Sequence, residues 1–291
     1  MTEPISAAAS PRLVLPERPR TVLVLGGGGL KGIAHVGAWK ALQEAGVRVD
    51  GIIGCSIGAL IGCSIAGGFG WRELAEVARA LKKDDIVSIN RRAVLFGGVR
   101  EESVFDGETY RAYIRRQVPL RSFADARLPI RVNAVSLVRG EERWFGTGVD
   151  ETTPVADAIY GSCAIPIYFP PLRLEGDVVV DGGVLDVLPI RAAASWATER
   201  VIAIDVGSEI TPPAPDYFDH GMIAIHDRVL TLNLQQQRRR LLEDEWTGPP
   251  LLMIRPRIGH LGGWVFDRTQ FFLEEGYRAT REALRDAAEA A

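Results

Sequence analysis

The chain has 291 residues, of which 47% are hydrophobic, and a formal net charge of −3. This length and apolar content are sufficient for one large domain with a full core. The nearly balanced charge and the absence of a zinc-finger spacing argue against nucleic-acid binding. The scattered histidines have no metal-site spacing either, so we expect neither a metal nor another cofactor.

The N-terminal residues 1–20, rich in Ala, Pro and Arg, lack the apolar core of a signal peptide and predict a flexible tail. Residues 21–291 are expected to form one hydrolase domain, with the motifs in 21–205 and a helix-rich part in 206–291. Three cysteines, an odd number in apolar surroundings, are typical of reduced thiols and indicate a cytoplasmic protein.

The first predicted strand, Thr21 to Leu25, is aliphatic throughout and predicts a parallel strand buried on both faces. A glycine loop, residues 27–32 (GGGLKG), follows it and leads into a helix that ends near Gly46. This loop matches a dinucleotide fingerprint, but the far end of the second strand carries Ser56 where an acidic residue is expected. We therefore favour an oxyanion hole built from the loop amides and keep nucleotide binding as an alternative.

The second predicted strand, Val49 to Ile53, runs into Gly54-Cys55-Ser56-Ile57-Gly58 and then into a helix over 57–66. A Gly-x-Ser-x-Gly pentapeptide between a strand and a helix is a nucleophile elbow, in which the two glycines leave room for a sharp turn. Ser56 is therefore the candidate nucleophile. Ser64 lies within the following helix and is expected to bond to a carbonyl one turn back.

Further elements follow the elbow in the order helix, loop, helix and strands. The segment 84–107 loses periodicity and carries basic residues beside Val94-Leu95-Phe96, which suits a lid or a lipid-binding loop. The predicted elements from here to the C-terminus are helices over 71–83, 108–118, 154–163, 226–246 and 267–290, and strands over 129–138, 143–145, 178–180, 201–204 and 251–254.

The strand over 178–180 delivers Asp181-Gly182-Gly183 to its end. An acidic residue at a strand end, followed by glycines, is well placed to reach a site shared with other strand ends. Asp181 is therefore the candidate catalytic acid, and Asp205, at the end of the next strand, is its competitor.

Taken in this order, the glycine loop, the elbow and the Asp-Gly-Gly motif resemble those of the patatin-like phospholipase family. The resemblance implies a three-layer α/β/α fold with a mostly parallel central sheet and a Ser-Asp dyad without a histidine. It implies Ser56 as nucleophile, Asp181 as base and the loop amides as oxyanion hole. The residues assigned by the motifs are Gly27, Gly28 and Gly29 in the oxyanion hole, with Lys31, Gly32, Gly54, Gly58, Gly182 and Gly183 in support.

The same resemblance implies hydrolysis of an acyl lipid, a phospholipid or lysophospholipid, and allows peripheral contact with a membrane. Two positions depart from the family pattern: Lys31 replaces a frequent arginine, and Leu185-Asp186 replaces an asparagine pair. A conventional triad that uses His220, His226 or His260 with Ser56 and Asp181 remains an alternative. A nucleotide-binding regulatory module is the second alternative.

Overall fold

The structure of the chain is a computed structural model. It describes residues 21–90, 101–196, 198–207, 209, 212–243 and 246–290. The predicted N-terminal tail and the basic and apolar stretch 91–100 of the predicted lid lie outside these residues.

The described strands form one mixed sheet in the order β5-β6-β3-β2-β1-β7-β8, with β4 also paired to β3. Strands β1, β2, β3, β7 and β8 run parallel to one another, whereas β4 and β6 pair antiparallel with β3, and β5 pairs antiparallel with β6. The strands are β1 Thr21–Leu25, β2 Gly51–Cys55, β3 Ile130–Ser136, β4 Glu141–Gly146, β5 Leu172–Leu174, β6 Asp177–Asp181, β7 Arg200–Ile204 and β8 Leu251–Ile254.

The helices are α1 Ala34–Glu44, α2 Ile57–Ala66, α3 Trp71–Ala80, α4 Lys83–Ile86, α5 Gly107–Gln117, α6 Val155–Cys163, α7 Ile190–Ala194, α8 Met222–Glu243 and α9 Thr269–Glu289. The elements predicted from periodicity are confirmed with end shifts of a few residues. Helix α8 begins at Met222, one turn before its predicted start. None of the described helices combines the length and the apolar character that crossing a bilayer requires.

Strand β1 shows why the fold has three layers. Leu23 and Leu25 belong to the core cluster beneath α1, α2 and α9, whereas Val22 and Val24 belong to a second cluster with residues of α7. Successive side chains of a strand point to opposite faces, so an aliphatic run is buried on both sides. The three-layer α/β/α arrangement implied by the sequence is confirmed.

Helices α1 and α9 cross at two glycines. A Cβ on Gly37 would lie 1.9 Å from the Leu273 carbonyl oxygen, and a Cβ on Gly276 would lie 1.9 Å from that of Ala34. Only glycine permits so close an approach of two backbones. The C-terminal helix is thereby seated on the helix that follows the glycine loop, and β8 completes the same sheet.

Strand β3 brings two other strands end to end. Strand β4 pairs with β3 from Arg131 to Ser136, whereas β2 pairs only up to Asn133 and β6 pairs only from Ala134 onward. Strand β4 occupies one edge of β3. Strands β2 and β6 therefore follow one another along the opposite edge. They run in opposite directions, so their carboxyl ends meet at the junction between residues 133 and 134.

Candidate active site

Ser56 occupies the sharp turn between β2 and α2. Its backbone has φ 54° and ψ −123°, a conformation that is strained for a residue with a side chain and is typical of a nucleophile elbow. Both glycines of the pentapeptide are required by close contacts. A Cβ on Gly54 would lie 2.5 Å from the Gly58 carbonyl oxygen, and a Cβ on Gly58 would lie 2.1 Å from that of Leu25.

Asp181 is the last residue of β6 and faces Ser56 at the strand junction. The Ser56 hydroxyl donates a hydrogen bond of 2.7 Å to Oδ2 of Asp181. The other carboxylate oxygen accepts the amide of Gly183 at 2.7 Å. A Cβ on Gly182 would lie 2.4 Å from Oδ1 of Asn133, so the turn after the acid also needs glycine. The carboxylate is held by the turn, with one oxygen committed to the hydroxyl.

Burial sets the protonation of this pair. Ser56 and Asp181 are 7% and 6% exposed, and desolvation raises the pKa of Asp181 to about 6, against the lowering effect of its bonds to Ser56 and Gly183. A carboxylate with a pKa near neutrality is a much stronger base than an ordinary aspartate. No described histidine hydrogen-bonds to either side chain, so the contact is a Ser-Asp pair.

Ser162 holds the elbow from the opposite side. Its hydroxyl accepts a hydrogen bond of 2.8 Å from the Ser56 amide, and its side chain is fully buried in α6. Sequence reasoning assigned no role to Ser162. Ser162 opens the block Ser162-Cys163-Ala164-Ile165-Pro166, which itself resembles a signature of the patatin-like family, and that block is the signal that could have identified it.

The amides of the glycine loop differ in whether they have a hydrogen-bond acceptor within the protein. The amide of Gly27 donates to the Val187 carbonyl at 2.9 Å, and that of Leu30 donates to the Gly263 carbonyl at 2.8 Å. Neither Gly28 nor Gly29 has an acceptor for its N–H among the described residues. Of the three glycines assigned to the oxyanion hole, Gly27 is therefore occupied in this conformation.

Two buried basic residues belong to the glycine loop and to the helix that follows it. Burial and the nearby Arg238 lower the pKa of Lys31 to about 8, although Asp205 and Glu209 oppose this effect. His35 is fully buried, donates from Nε2 to the Gly26 carbonyl at 2.8 Å, and has its pKa lowered to about 4 by desolvation. A neutral His35 therefore holds the backbone at the start of the glycine loop through its bond to the Gly26 carbonyl.

The dyad opens into a cavity of about 470 Å³. Helix α8 forms one wall and is attached near the acid by Gln237, whose amide donates to the carbonyls of Gly183 and Val184 at 3.0 Å each. Farther along, Asp227 accepts the hydroxyls of Tyr168 at 3.2 Å and Tyr217 at 3.0 Å. Apolar side chains dominate the lining, among them Leu30, Ile57, Phe169, Leu230, Leu234 and Trp264.

The other candidate residues lie elsewhere or act differently. Ser64 donates to the Leu60 carbonyl at 2.9 Å, as expected for a helix serine. Asp205 pairs with Arg238 at 2.5 Å and accepts the Gly207 amide, so it does not compete with Asp181 for Ser56. His260 lines the cavity without bonding to the dyad. The described part of the chain contains no group of three or more side chains arranged to hold a metal.

Comparisons with known proteins identify the family of the chain. The model of the family described as "Patatin-like phospholipase" matches residues 23–194, more than half of the chain. An uncharacterized NTE family protein of Mycobacterium tuberculosis is 32% identical over 199 residues, which cover 68% of this chain and 52% of that protein. A "Lysophospholipase nte1" of Emericella nidulans is 28% identical over 294 residues, covering 90% of this chain and 18% of its own length.

A solved structure shares the fold at low sequence identity. The crystal structure of VipD from Legionella pneumophila superposes with a TM-score of 0.52 at 15% identity, covering 93% of this chain and 67% of that chain. The match to the mycobacterial relative spans about half of that protein's length, 52%. With its family model matched across the glycine loop, the elbow and the Asp-Gly-Gly turn, the chain belongs to the patatin-like phospholipase family.

Proposed function

We propose that the chain is a serine acyl hydrolase of lipid esters that works with the Ser56–Asp181 dyad. The observation that carries the proposal is the 2.7 Å hydrogen bond between these side chains on the wall of a largely apolar cavity. A nucleophile bonded to its base, next to unoccupied backbone donors, is the arrangement required for acyl transfer.

In the first half-reaction, Asp181 takes the proton from the Ser56 hydroxyl as its oxygen attacks the ester carbonyl. The carbonyl oxygen becomes an oxyanion, which the N–H groups of Gly28 and Gly29 would stabilise. The tetrahedral intermediate expels the alcohol, which receives the proton from Asp181. An acyl group then remains on Ser56.

In the second half-reaction, Asp181 takes a proton from water, which attacks the acyl-enzyme carbonyl. Collapse of this intermediate breaks the bond to Ser56, and the proton returns from Asp181 to the serine oxygen. The products are a fatty acid and the regenerated dyad. The raised pKa of Asp181 suits both directions of proton transfer, because a group that titrates near the working pH can accept and release a proton.

For the substrate we propose a phospholipid or lysophospholipid. The apolar lining of the cavity would accept an acyl chain, and one relative carries the name lysophospholipase. Free cysteines at Cys55, Cys63 and Cys163 fit the proposed cytoplasmic location. Burial raises the pKa of Cys163 to about 12, so this thiol beside the cavity stays neutral and does not compete with Ser56.

The test is labelling with a fluorophosphonate ester, with the modified residue mapped by mass spectrometry. We expect label on Ser56 alone, no label on Ser56→Ala, and full label on Ser64→Ala, whose serine is also buried. A panel of phospholipids, lysophospholipids and acylglycerols then identifies the ester that is cleaved. Label that persists on Ser56→Ala would falsify the proposal.

A further inference from the structure

Helix α8 carries apolar side chains on two opposite faces. Leu230 and Leu234 line the catalytic cavity. Met222, Ile225, Val229 and Leu232 point away from it and are 66%, 50%, 59% and 41% exposed. A helix at the surface of a globular protein normally has one apolar face. The second face of α8 therefore requires an explanation other than the core.

These four exposed residues form a stripe, which we call the outer stripe of α8. Their spacing of three, four and three residues places them along one side of the helix. At 1.5 Å per residue, Met222 and Leu232 are about 15 Å apart along the axis. Phe218, 51% exposed in the turn before α8, extends the apolar surface beyond the start of the helix.

The outer stripe begins beside the catalytic cavity. Tyr217 lines the cavity, packs edge-on against Phe218 with ring centroids 5.4 Å apart, and donates its hydroxyl to Asp227 of α8. Ile167, 39% exposed, lies between the cavity residue Pro166 and Tyr168, which also bonds to Asp227. Ile167 has φ 71°, a strained value for a β-branched residue. Exposed apolar side chains thus lie next to residues of the cavity wall.

The size of the outer stripe argues against a folded protein as its partner. A stripe about 15 Å long on a helix about 10 Å wide offers roughly 150 Å². A stable protein interface buries about 800 Å² on each partner. A second copy of the chain would therefore need much more surface than this stripe provides, whereas a bilayer accepts a narrow row of apolar side chains.

The charges of α8 also fit a lipid surface. Asp227 is the single acidic residue between Met222 and Arg240, and its carboxylate is turned toward Tyr168 and Tyr217. The exposed residue Arg240 follows the outer stripe toward the C-terminus of the helix, next to Arg239, which pairs with Glu243 at 3.4 Å. Basic residues beside an apolar face are typical of helices that lie in the interface of an anionic membrane.

We propose that the outer stripe of α8 docks on the surface of an anionic bilayer, so that lipid enters the catalytic cavity beside Tyr217. This proposal rests on the proposed lipid hydrolase function, for which it identifies the contact surface. The helix would lie in the membrane interface with Met222, Ile225, Val229 and Leu232 among the acyl chains. Its opposite face would remain the wall of the cavity.

The experiment compares two double variants with matched exposure. Ile225→Glu with Val229→Glu alters the outer stripe, whereas Leu137→Glu with Val138→Glu alters the hairpin after β3, whose side chains are 56% and 62% exposed. Each is measured for co-sedimentation with vesicles of equal parts phosphatidylcholine and phosphatidylglycerol. Hydrolysis of the vesicle lipid and of a water-soluble short-chain p-nitrophenyl ester is measured in parallel.

We expect the outer-stripe variant to lose roughly tenfold or more of its vesicle binding and vesicle hydrolysis, because two charges replace inserted apolar groups. Its soluble-ester activity should match wild type, and the hairpin variant should match wild type in every assay. Equal vesicle binding by both variants overturns the docking proposal. So does sedimentation that shows a wild-type dimer which the outer-stripe variant dissociates.

The outcome for docking is independent of the outcome for catalysis. If wild type hydrolyses neither ester, the proposed function fails, while the vesicle-binding comparison still decides whether the outer stripe docks. If wild type hydrolyses both and the outer-stripe variant binds vesicles normally, catalysis stands and docking fails.

Discussion

Ser56 and Asp181 are 125 residues apart in sequence, yet they meet because the strands that carry them end at adjacent residues of β3. Strand β2 pairs up to Asn133 and β6 begins its pairing at Ala134, in the opposite direction. Asp181 thus ends its strand, and Ser56 occupies the tight turn directly after its own strand. No third residue is needed to bring the proposed base to the proposed nucleophile, and burial at this junction raises the pKa of Asp181.

The pH dependence of catalysis should follow Asp181. Its pKa is raised to about 6 by burial, and the base must be ionised to accept the serine proton. We expect kcat/KM for a soluble ester to fall below about pH 6 along a single-proton limb, and Asp181→Asn to lower kcat by several orders of magnitude. An imidazole could titrate in the same range, so the profile should be measured at two temperatures. A carboxyl pKa changes little on heating, whereas a limb that moves to lower pH indicates a histidine.

The buried carboxylate should also cost stability. The pKa of Asp181 is higher in the folded chain, about 6, than its ordinary value of 3.8, so the folded state binds more protons between these values. The free energy of unfolding therefore falls as pH rises through this window, by roughly 3 kcal/mol at most for a shift of this size. We expect Asp181→Asn to be more stable than wild type at pH 8 and to lose this advantage near pH 4. Chemical denaturation at both pH values measures this difference in unfolding free energy. Ser56→Ala is the control, because it is inactive but keeps the carboxylate. An Asp181→Asn variant that is less stable than wild type at pH 8 contradicts the prediction.

Ser162 should act as a positioning residue for the elbow. Replacing it with alanine leaves the buried Ser56 amide without its acceptor, which costs about 1–3 kcal/mol. We expect Ser162→Ala to lower both the unfolding free energy and kcat, with little change in KM. Ser64→Ala is the matched control, because Ser64 is also buried but bonds to a carbonyl of its own helix. Equal kcat values for the two variants would show that the Ser162 contact does not position the nucleophile.

The glycine loop should affect the rate of the chemical step more than substrate binding. A Cβ on Gly28 would lie 2.8 Å from the Val206 carbonyl oxygen, and a Cβ on Gly29, with φ 60°, would lie 2.4 Å from that of Gly263. Either alanine must shift the two N–H groups proposed to bind the oxyanion. We expect a loss of kcat on the order of 10²-fold or more, with a smaller change in KM. Gly46→Ala is the control, since Gly46 also has a positive φ of 66° but nothing within 4 Å of its Cβ position.

The alternative that the glycine loop binds a nucleotide can be tested by the melting temperature of the chain. If the loop binds a dinucleotide or nucleotide, NAD or ATP in large excess over its Kd should raise the melting temperature of the wild-type chain. We expect no shift with either. A shift that Gly28→Ala removes would favour the regulatory module over the hydrolase.

Short-range patterns predicted the parts of the site that are local. The elbow around Ser56 and the turn after Asp181 each depend on a strand, a side chain and adjacent glycines, all of which can be recognised within a few residues. The aliphatic strands likewise predicted a sheet covered on both faces. For these features, a few adjacent residues determine the backbone geometry, so the pattern was sufficient to predict it.

Features that depend on distant partners could not be predicted this way. The end-to-end placement of β2 and β6 depends on pairing with β3, and an apolar run such as Val178 to Val180 has no mark of strand direction. Gly27, unlike Gly28, donates its amide to the Val187 carbonyl, which lies far away in the sequence. In α8, the leucines of the cavity wall and the exposed apolar residues share one helical period, so the sequence could not separate the two faces.

The last prediction separates a dyad from a conventional triad. His220, His226 and His260 follow Asp181 in the order that a Ser-Asp-His enzyme requires, and His260 lines the cavity. In the structure, however, the Ser56 hydroxyl donates directly to Asp181, and the second carboxylate oxygen accepts the Gly183 amide. A triad would require an imidazole between the two side chains, so the direct bond from Ser56 to Asp181 would be lost.

We therefore expect single replacement of these three histidines by glutamine to leave most of kcat, with His260→Gln the one able to change KM through the cavity wall. His35→Gln tests a different role, because the buried Nε2–H bond to Gly26 supports the glycine loop; it should lower the melting temperature and reduce activity only as far as the loop is displaced. The comparison uses circular dichroism to establish folding and burst kinetics to measure acylation. A folded variant of His220, His226 or His260 as inactive as Ser56→Ala would overturn the dyad and make that histidine the general base.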